Sequence, residues 1–153
     1  MTVWTIWHSN HRIDYFTWLL QKHKIQVLVD IRKTPYSSHN PQFNKEELKS
    51  EVEKLWIIYT RHYWLWWGDY TEVDYKEHFE KDIDWLIKTS EKYKTAIMCS
   101  EWDPRKTKWR NYECHRLSRI TPELVKRWVE VKHILPEWDV IDNPTKIIQW
   151  GLF

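Results

Sequence analysis

Glycine is almost absent from this sequence. A chain of 153 residues carries roughly 11 glycines at ordinary usage, whereas this one has two, Gly68 and Gly151, beside 13 tryptophans. Glycine normally supplies the turns that need a positive φ, above all where a helix ends. The scarcity therefore indicates that other residues, often tryptophan, stand at positions where glycine is expected.

Long apolar runs, a leader pattern and a cysteine framework are also missing. No stretch approaches 18 apolar residues, which excludes a transmembrane helix, and the N-terminus lacks a basic-then-apolar signal pattern. Two cysteines, Cys99 and Cys114, do not make a disulfide framework. We therefore expect a cytoplasmic protein without membrane partners, formed by a single domain over residues 1–153.

The net charge of the chain does not by itself indicate a nucleic-acid partner. The formal net charge is +2, although basic residues cluster in the segment 105–110 and at Arg116 and Arg119. This cluster is either a solvated face or a surface for nucleic acid, on which Trp109 and Tyr112 would stack bases.

Strand-like and helix-like segments alternate along the chain. Apolar, strand-like runs occupy residues 2–7, 25–31, 57–62, 95–100 and 129–135, and a short terminal strand is predicted within 136–141. Helices are predicted at 11–24, 44–55, 74–93, near 112–119 and from 121, with Asn10, Asn44 and Thr121 as N-caps. This order predicts a three-layer, Rossmann-like α/β fold, with a mainly parallel sheet of about five strands and helices on both faces.

Polar residues follow several strands, at the edge where open α/β sheets bind ligands. They are His8 and Ser9 after the first strand, Asp30 and Arg32 after the second, Glu101 after the fourth, and Cys114, His115 and Arg116 beyond the next loop. We expect these residues to gather into one site at that edge.

Asp30 and Arg32 lie two residues apart and therefore on the same face of a strand. Either Arg32 grips an anion with its planar guanidinium while Asp30 orients it, or the two side chains pair with each other. Ser9 is a substrate-binding candidate or, together with Asn10, only a cap of the first helix.

The catalytic candidates are His8, Glu101, Cys114 and His115. His8 is a general base, a phosphate donor or a structural histidine. Glu101 after a buried strand has a raised pKa and transfers protons, or it forms a salt bridge with an arginine of the site. Cys114, beside His115 and Arg116, has a lowered thiol pKa and acts as a nucleophile, or it only packs. His8, Cys99, Cys114 and His115 are permissible zinc ligands, but no pair of them has C-x-x-C spacing, so no metal or other cofactor is predicted.

Five ordered segments share the pattern of a known family. They are TIWHSN (5–10), VLVDIRKTPYSSHNPQF (27–43), AIMCSEWDP (96–104), CHR (114–116) and VEVKHI (129–134). Together they resemble the DUF488 family over nearly the whole chain. The family motif D-V-R-x-x-P-x-S implies that Ser37 belongs to the substrate-binding residues, but the resemblance implies no particular activity.

The departures from that family pattern fall on tryptophan. Family glycines fall on Trp7, Trp66, Trp67 and Trp128, and glycine is common in related sequences at Trp56, Trp102 and Trp138. Some genetic codes read the codon UGA as glycine and others read it as tryptophan, so translation with the wrong table would produce this composition. We therefore hypothesise that many of these tryptophans are glycine in the natural protein, since an indole at positive φ is strained.

Two functions are consistent with this pattern, and the sequence does not decide whether the protein is an enzyme. The first is a small cytosolic enzyme acting on a phosphate-bearing substrate, a nucleotide or a nucleic acid. In this enzyme, Arg32 and Arg116 bind the anion, and Glu101 and His8 transfer protons. Cys114 is the nucleophile or only lines the pocket. The second is a non-catalytic module that binds nucleic acid or a nucleotide with the same arginines and the segment 105–112.

Overall fold

The protein forms one mixed sheet covered by helices. A computed structural model describes residues 1–66, 72–100, 119–137 and 139–142. Its strands are β1 (Thr2–Trp7), β2 (Val27–Asp30), β3 (Ile58–Arg61), β4 (Thr95–Cys99), β5 (Glu130–Ile134) and β6 (Val140–Asp142). The described α-helices are α1 (Ile13–Lys22), α2 (Lys45–Glu53), α3 (Glu72–Lys92) and α4 (Thr121–Lys126).

The sheet confirms the predicted α/β class. Its strand order is β3-β2-β4-β1-β5-β6; β1 to β5 are parallel and β6 runs antiparallel to β5. The fully buried β4 lies between β1 and β2, as its unbroken apolar run indicates for a strand covered on both faces.

Two separate apolar cores make the three layers. On one face of the sheet, α1 and α2 bury Phe16, Leu19, Leu20, Leu48 and Val52. On the other face, α3 and α4 bury Phe79, Ile83, Leu86 and Leu124. Helices therefore cover both faces, as the alternation of strands and helices predicts.

The predicted helix starts are only partly right. Asn10 does not cap α1, whose N-cap is Arg12 and makes no side-chain capping bond. Asn44 is the N-cap of α2, but its side-chain oxygen accepts the N–H of Ser37 at 2.8 Å instead of a helix N–H. Thr121 is the first residue of α4 rather than its cap. The side-chain oxygen of Asn44 therefore binds the loop at Ser37 instead of capping α2.

Ile97→Ala in β4 is expected to lower the free energy of unfolding by about 2–5 kcal/mol, because a fully buried side chain leaves a cavity. Ile58→Ala is the matched control on β3, where the side chain is 53% exposed, and should cost less than about 1 kcal/mol. Urea denaturation measures both changes. Equal losses would contradict the position of β4 at the centre of the sheet.

Candidate functional site

The carboxyl ends of β1 and β4 meet where the chain changes direction across the sheet. β1 leads to α1 on one face, whereas α4 lies on the other face and follows β4 along the chain. The N–H of His8 donates to the carbonyl of Cys99 at 3.1 Å, which joins the two strand ends. In open α/β sheets, such a switch point is the usual place for a ligand.

A buried ion pair stands beside this point, at the end of β2. The Arg32 Nη2 lies 2.7 Å from Asp30 Oδ2, and the two side chains are 4% and 0% exposed. Arg32 Nε donates to Asp30 Oδ1 at 2.9 Å, and the backbone N–H of Arg32 donates to the same oxygen at 3.0 Å. The two residues thus pair with each other, which is the second of the alternatives left open by their spacing.

Further contacts use most of the remaining donors of Arg32. Its Nη1 donates to the carbonyl of Phe43 at 2.7 Å and lies 3.5 Å from Nε2 of His8. A guanidinium has five N–H groups, so the described contacts leave one N–H of Nη2 for a ligand. Arg32 is consequently fixed by the protein, and its capacity to grip an anion is small.

The carboxylate of Asp30 is also saturated. The hydroxyl of Tyr59 donates to Asp30 Oδ2 at 2.6 Å, in addition to the bonds from Arg32. Burial raises the pKa of Tyr59, and the negative charge of Asp30 raises it further, so the phenol stays protonated and remains a donor. Asp30 therefore orients Arg32 and Tyr59.

His8 is buried and neutral. The ring is 3% exposed and stacks on Phe43 with 4.4 Å between centroids. Burial is the main reason that the pKa of His8 falls to about 4, and the charge of Arg32 lowers it as well. The hydrogen-bond network assigns the proton to Nδ1, which donates to the carbonyl of Ser9 at 2.7 Å, while Nε2 faces the Arg32 guanidinium. The role of His8 in proton transfer stays a prediction.

The two serines of the predicted site organise loops. Ser9 has φ 48°, and its hydroxyl donates to the side chain of Asn10 at 3.3 Å; it does not cap α1. The hydroxyl oxygen of Ser37 accepts the N–H groups of His39 and Asn40, each at 3.2 Å. Substrate binding by either serine stays a prediction.

Glu101, Cys114, His115 and Arg116 lie outside the described residues, and so does the basic segment 105–112. The gathering of all predicted residues into one site is therefore seen only for His8, Ser9, Asp30 and Arg32.

Arg61 is a cationic residue of the same edge that the sequence reasoning missed. It ends β3, next to β2, and its Nη2 donates to the carbonyls of Arg32 at 3.0 Å and Lys33 at 2.7 Å. Its Nε is buried and has no hydrogen-bond partner within the described residues. The polar residues at the end of the third strand were the signal that could have identified it.

His62 and Asp82 form a second cluster on the face covered by α3. Nδ1 of His62 lies 2.8 Å from Oδ1 of Asp82, with each side chain 16% exposed, and the imidazole stacks on Trp85 at 3.8 Å. Oδ2 of Asp82 is buried without a described partner. Sequence spacing gave no signal for this contact, because Asp82 sits within an amphipathic helix where acidic residues usually face water.

Within the described ranges, no group of three or more histidine, cysteine or acidic side chains is arranged to hold a metal ion. None of the helices seen there has both the length and the apolar character needed to cross a membrane.

A family model described as "Domain of unknown function DUF488" matches residues 12–118, more than half of the chain. No curated protein and no solved structure matches the sequence. The match covers α1, β2, β3 and β4 and hence the Asp30–Arg32 pair.

Asp30→Asn is expected to lower the free energy of unfolding by about 3–5 kcal/mol, because the substitution leaves the buried charge of Arg32 without a counter-ion. The control is Asp14→Asn, which breaks an Arg12–Asp14 pair that is 85% and 65% exposed. It should cost less than about 1 kcal/mol. If chemical denaturation gave the two variants similar losses, the buried pair would not have the role described.

His8 is expected to make stability depend on pH between about 4 and about 6.5. Its folded pKa of about 4 lies below the ordinary value of 6.5, so the unfolded chain binds the proton first. Stability is thus fully present above pH 6.5 and falls by about 3 kcal/mol toward pH 4. In His8→Gln this component should vanish; parallel pH profiles of the two proteins would contradict it.

Proposed function

The chain belongs to the DUF488 family, and we propose that it binds a phosphate-bearing ligand, a nucleotide or a nucleic acid, at the carboxyl edge of its sheet. The observation that carries the proposal is the guanidinium of Arg61. Two backbone carbonyls hold it in place, yet its buried Nε–H has no described acceptor.

An unsatisfied buried donor is costly, and a ligand oxygen is one way to satisfy it. The planar fork of arginine suits the oxygens of a phosphate better than a point charge does. Lys33, whose carbonyl Arg61 contacts, is exposed on the adjacent loop and carries a second positive charge, its Nζ lying 4.7 Å from the centroid of the Trp66 ring. These features favour an anionic ligand at the ends of β2 and β3.

The Asp30–Arg32 pair supports this role indirectly. Arg32, just after β2, donates a hydrogen bond to the carbonyl of Phe43. Arg61 in turn donates to the carbonyls of Arg32 and Lys33. A guanidinium held in this way loses little freedom when it meets a ligand, so less of the binding free energy is lost to ordering. The pair therefore positions the anion contact, which is made chiefly by Arg61.

Binding without catalysis is favoured over proton transfer by His8. Both ring nitrogens of His8 are engaged, and the low pKa keeps the imidazole neutral at pH 7. A general acid or base must hold or release a proton near the reacting atoms, and this ring is committed to Ser9 and Arg32 instead.

The second candidate function, an enzyme acting on the same ligands, rests on His62 and Asp82. A carboxylate at 2.8 Å from Nδ1 favours the proton there and leaves Nε2 to accept one, as in other carboxylate–histidine pairs. In such an enzyme Glu101, Cys114 and His115 are the further candidates, and they stay predictions.

Arg61→Gln is expected to weaken the binding of adenosine monophosphate or of a short single-stranded RNA by tenfold or more, because a charged hydrogen bond is lost. Arg127→Gln is the control: it removes an arginine from the end of α4, at the opposite edge, where Arg127 contacts Glu80 and Glu123. Thermal shift and isothermal titration measure both. The proposal fails if neither ligand binds the unchanged protein, or if both variants lose affinity equally.

A further inference from the structure

Trp56 stands in a backbone conformation for which glycine is the default. Its φ is 61°, and it directly follows the last turn of α2. The N–H of Trp56 donates to the carbonyl of Glu53 at 3.0 Å, and that of Ile57 donates to the carbonyl of Val52 at 3.2 Å. This second bond spans six residues and closes a Schellman turn, whose left-handed residue is usually glycine.

Trp128 repeats the arrangement at the end of α4. Its φ is 62°; its N–H donates to the carbonyl of Val125 at 3.0 Å, and the N–H of Val129 donates to that of Leu124 at 3.0 Å. After each turn the chain enters a strand through a buried residue, Ile57 or Val129. The positive φ is therefore imposed by the connection from helix to strand.

The two indoles gain nothing that offsets this conformation. Trp56 is 93% exposed and Trp128 is 94% exposed, whereas Trp7 in β1 is 4% exposed. Burial of apolar area is the main favourable contribution of a tryptophan, and here it is missing. The cost of a Cβ atom in the left-handed region remains.

Trp56 and Trp128 do not form one docking surface. They precede β3 and β5, which are separated by β2, β4 and β1. Four strand spacings of about 4.8 Å place them about 19 Å apart along the amino edge, and on the side opposite the candidate site. A shared apolar patch for a partner does not explain them.

Strain alone does not identify a glycine position, because Lys24 adopts φ 54° at the end of α1. Positions 56 and 128 differ from position 24 in the type of residue that adopts the positive φ. The largest side chain occupies both, in a chain with two glycines and 13 tryptophans. A systematic replacement of glycine by tryptophan explains the composition and both turns together.

Among the described tryptophans, a positive φ is found at Trp56 and Trp128 and not at the other family-glycine positions. Trp66 is extended, with φ −88°, and Trp7 lies in β1 and in the core. Trp67, Trp102 and Trp138 lie outside the described residues.

We propose that residues 56 and 128 are glycine in the protein as its own cell makes it, and that the gene carries UGA at both positions. The reading of that codon differs between genetic codes, so one gene yields glycine in one decoding system and tryptophan in another. The proposal concerns the helix ends and is independent of any ligand at the opposite edge.

The gene and the natural protein test this directly. We expect UGA at both codons and glycine in the peptides that contain residues 56 and 128, as read by mass spectrometry of protein from the source cells. UGG at either codon, or tryptophan in either peptide, overturns the proposal.

A matched set of variants tests its physical basis. Relative to Trp56→Ala, Trp56→Gly is expected to raise the folding equilibrium constant by about fivefold, because alanine keeps the Cβ atom at positive φ and glycine removes it. The same difference is expected between Trp128→Gly and Trp128→Ala. A glycine variant no more stable than its alanine partner would show that the turn does not require glycine and would overturn the argument.

Discussion

The buried ion pair of Asp30 and Arg32 is the interaction on which the rest of the carboxyl edge depends. The removal of two charges from water costs free energy, which is offset by their mutual attraction and by hydrogen bonds to nearby polar groups. Asp30 accepts hydrogen bonds from Arg32 and Tyr59, and Arg32 donates to Asp30 and to the carbonyl of Phe43. The same positive charge lies against His8 and adds to the effect of burial on its pKa.

The polar side chains of this edge therefore fall into two groups: those whose hydrogen-bonding atoms are nearly all paired within the protein, and those with a buried atom that has no described partner. At the end of β2 nearly every donor and acceptor is used inside the protein. At the end of β3, by contrast, Arg61 keeps a buried N–H without a described acceptor. On the face covered by α3, His62 and Asp82 form a pair whose side chains make no described hydrogen bond to those of Asp30 and Arg32. The backbone N–H of His62 nevertheless donates to the carbonyl of Asp30 at 3.1 Å. Arg61 and the His62–Asp82 pair are therefore separate groups at this edge, and the functions proposed above assign anion binding to the first and proton transfer to the second.

The fold was readable from the sequence because strand and helix patterns alternate cleanly and β4 is apolar throughout. The helix-to-strand junction at Trp56 was also predicted, since a single residue separates the amphipathic and apolar runs. Side-chain partners were harder to predict: the spacing of Asp30 and Arg32 allowed pairing or anion binding, and only burial decides between them. Asp82 lies 20 residues from His62, in a helix pattern that gives no sign of a buried contact.

A double-mutant cycle on Asp30 and Arg32 tests the central claim most directly. The free energy of unfolding is measured for the unchanged protein, Asp30→Asn, Arg32→Met and the double variant. The account predicts that the double variant loses at least about 1 kcal/mol less than the sum of the single losses, because removing both partners leaves no buried charge alone. Losses that add within about 0.5 kcal/mol would contradict it.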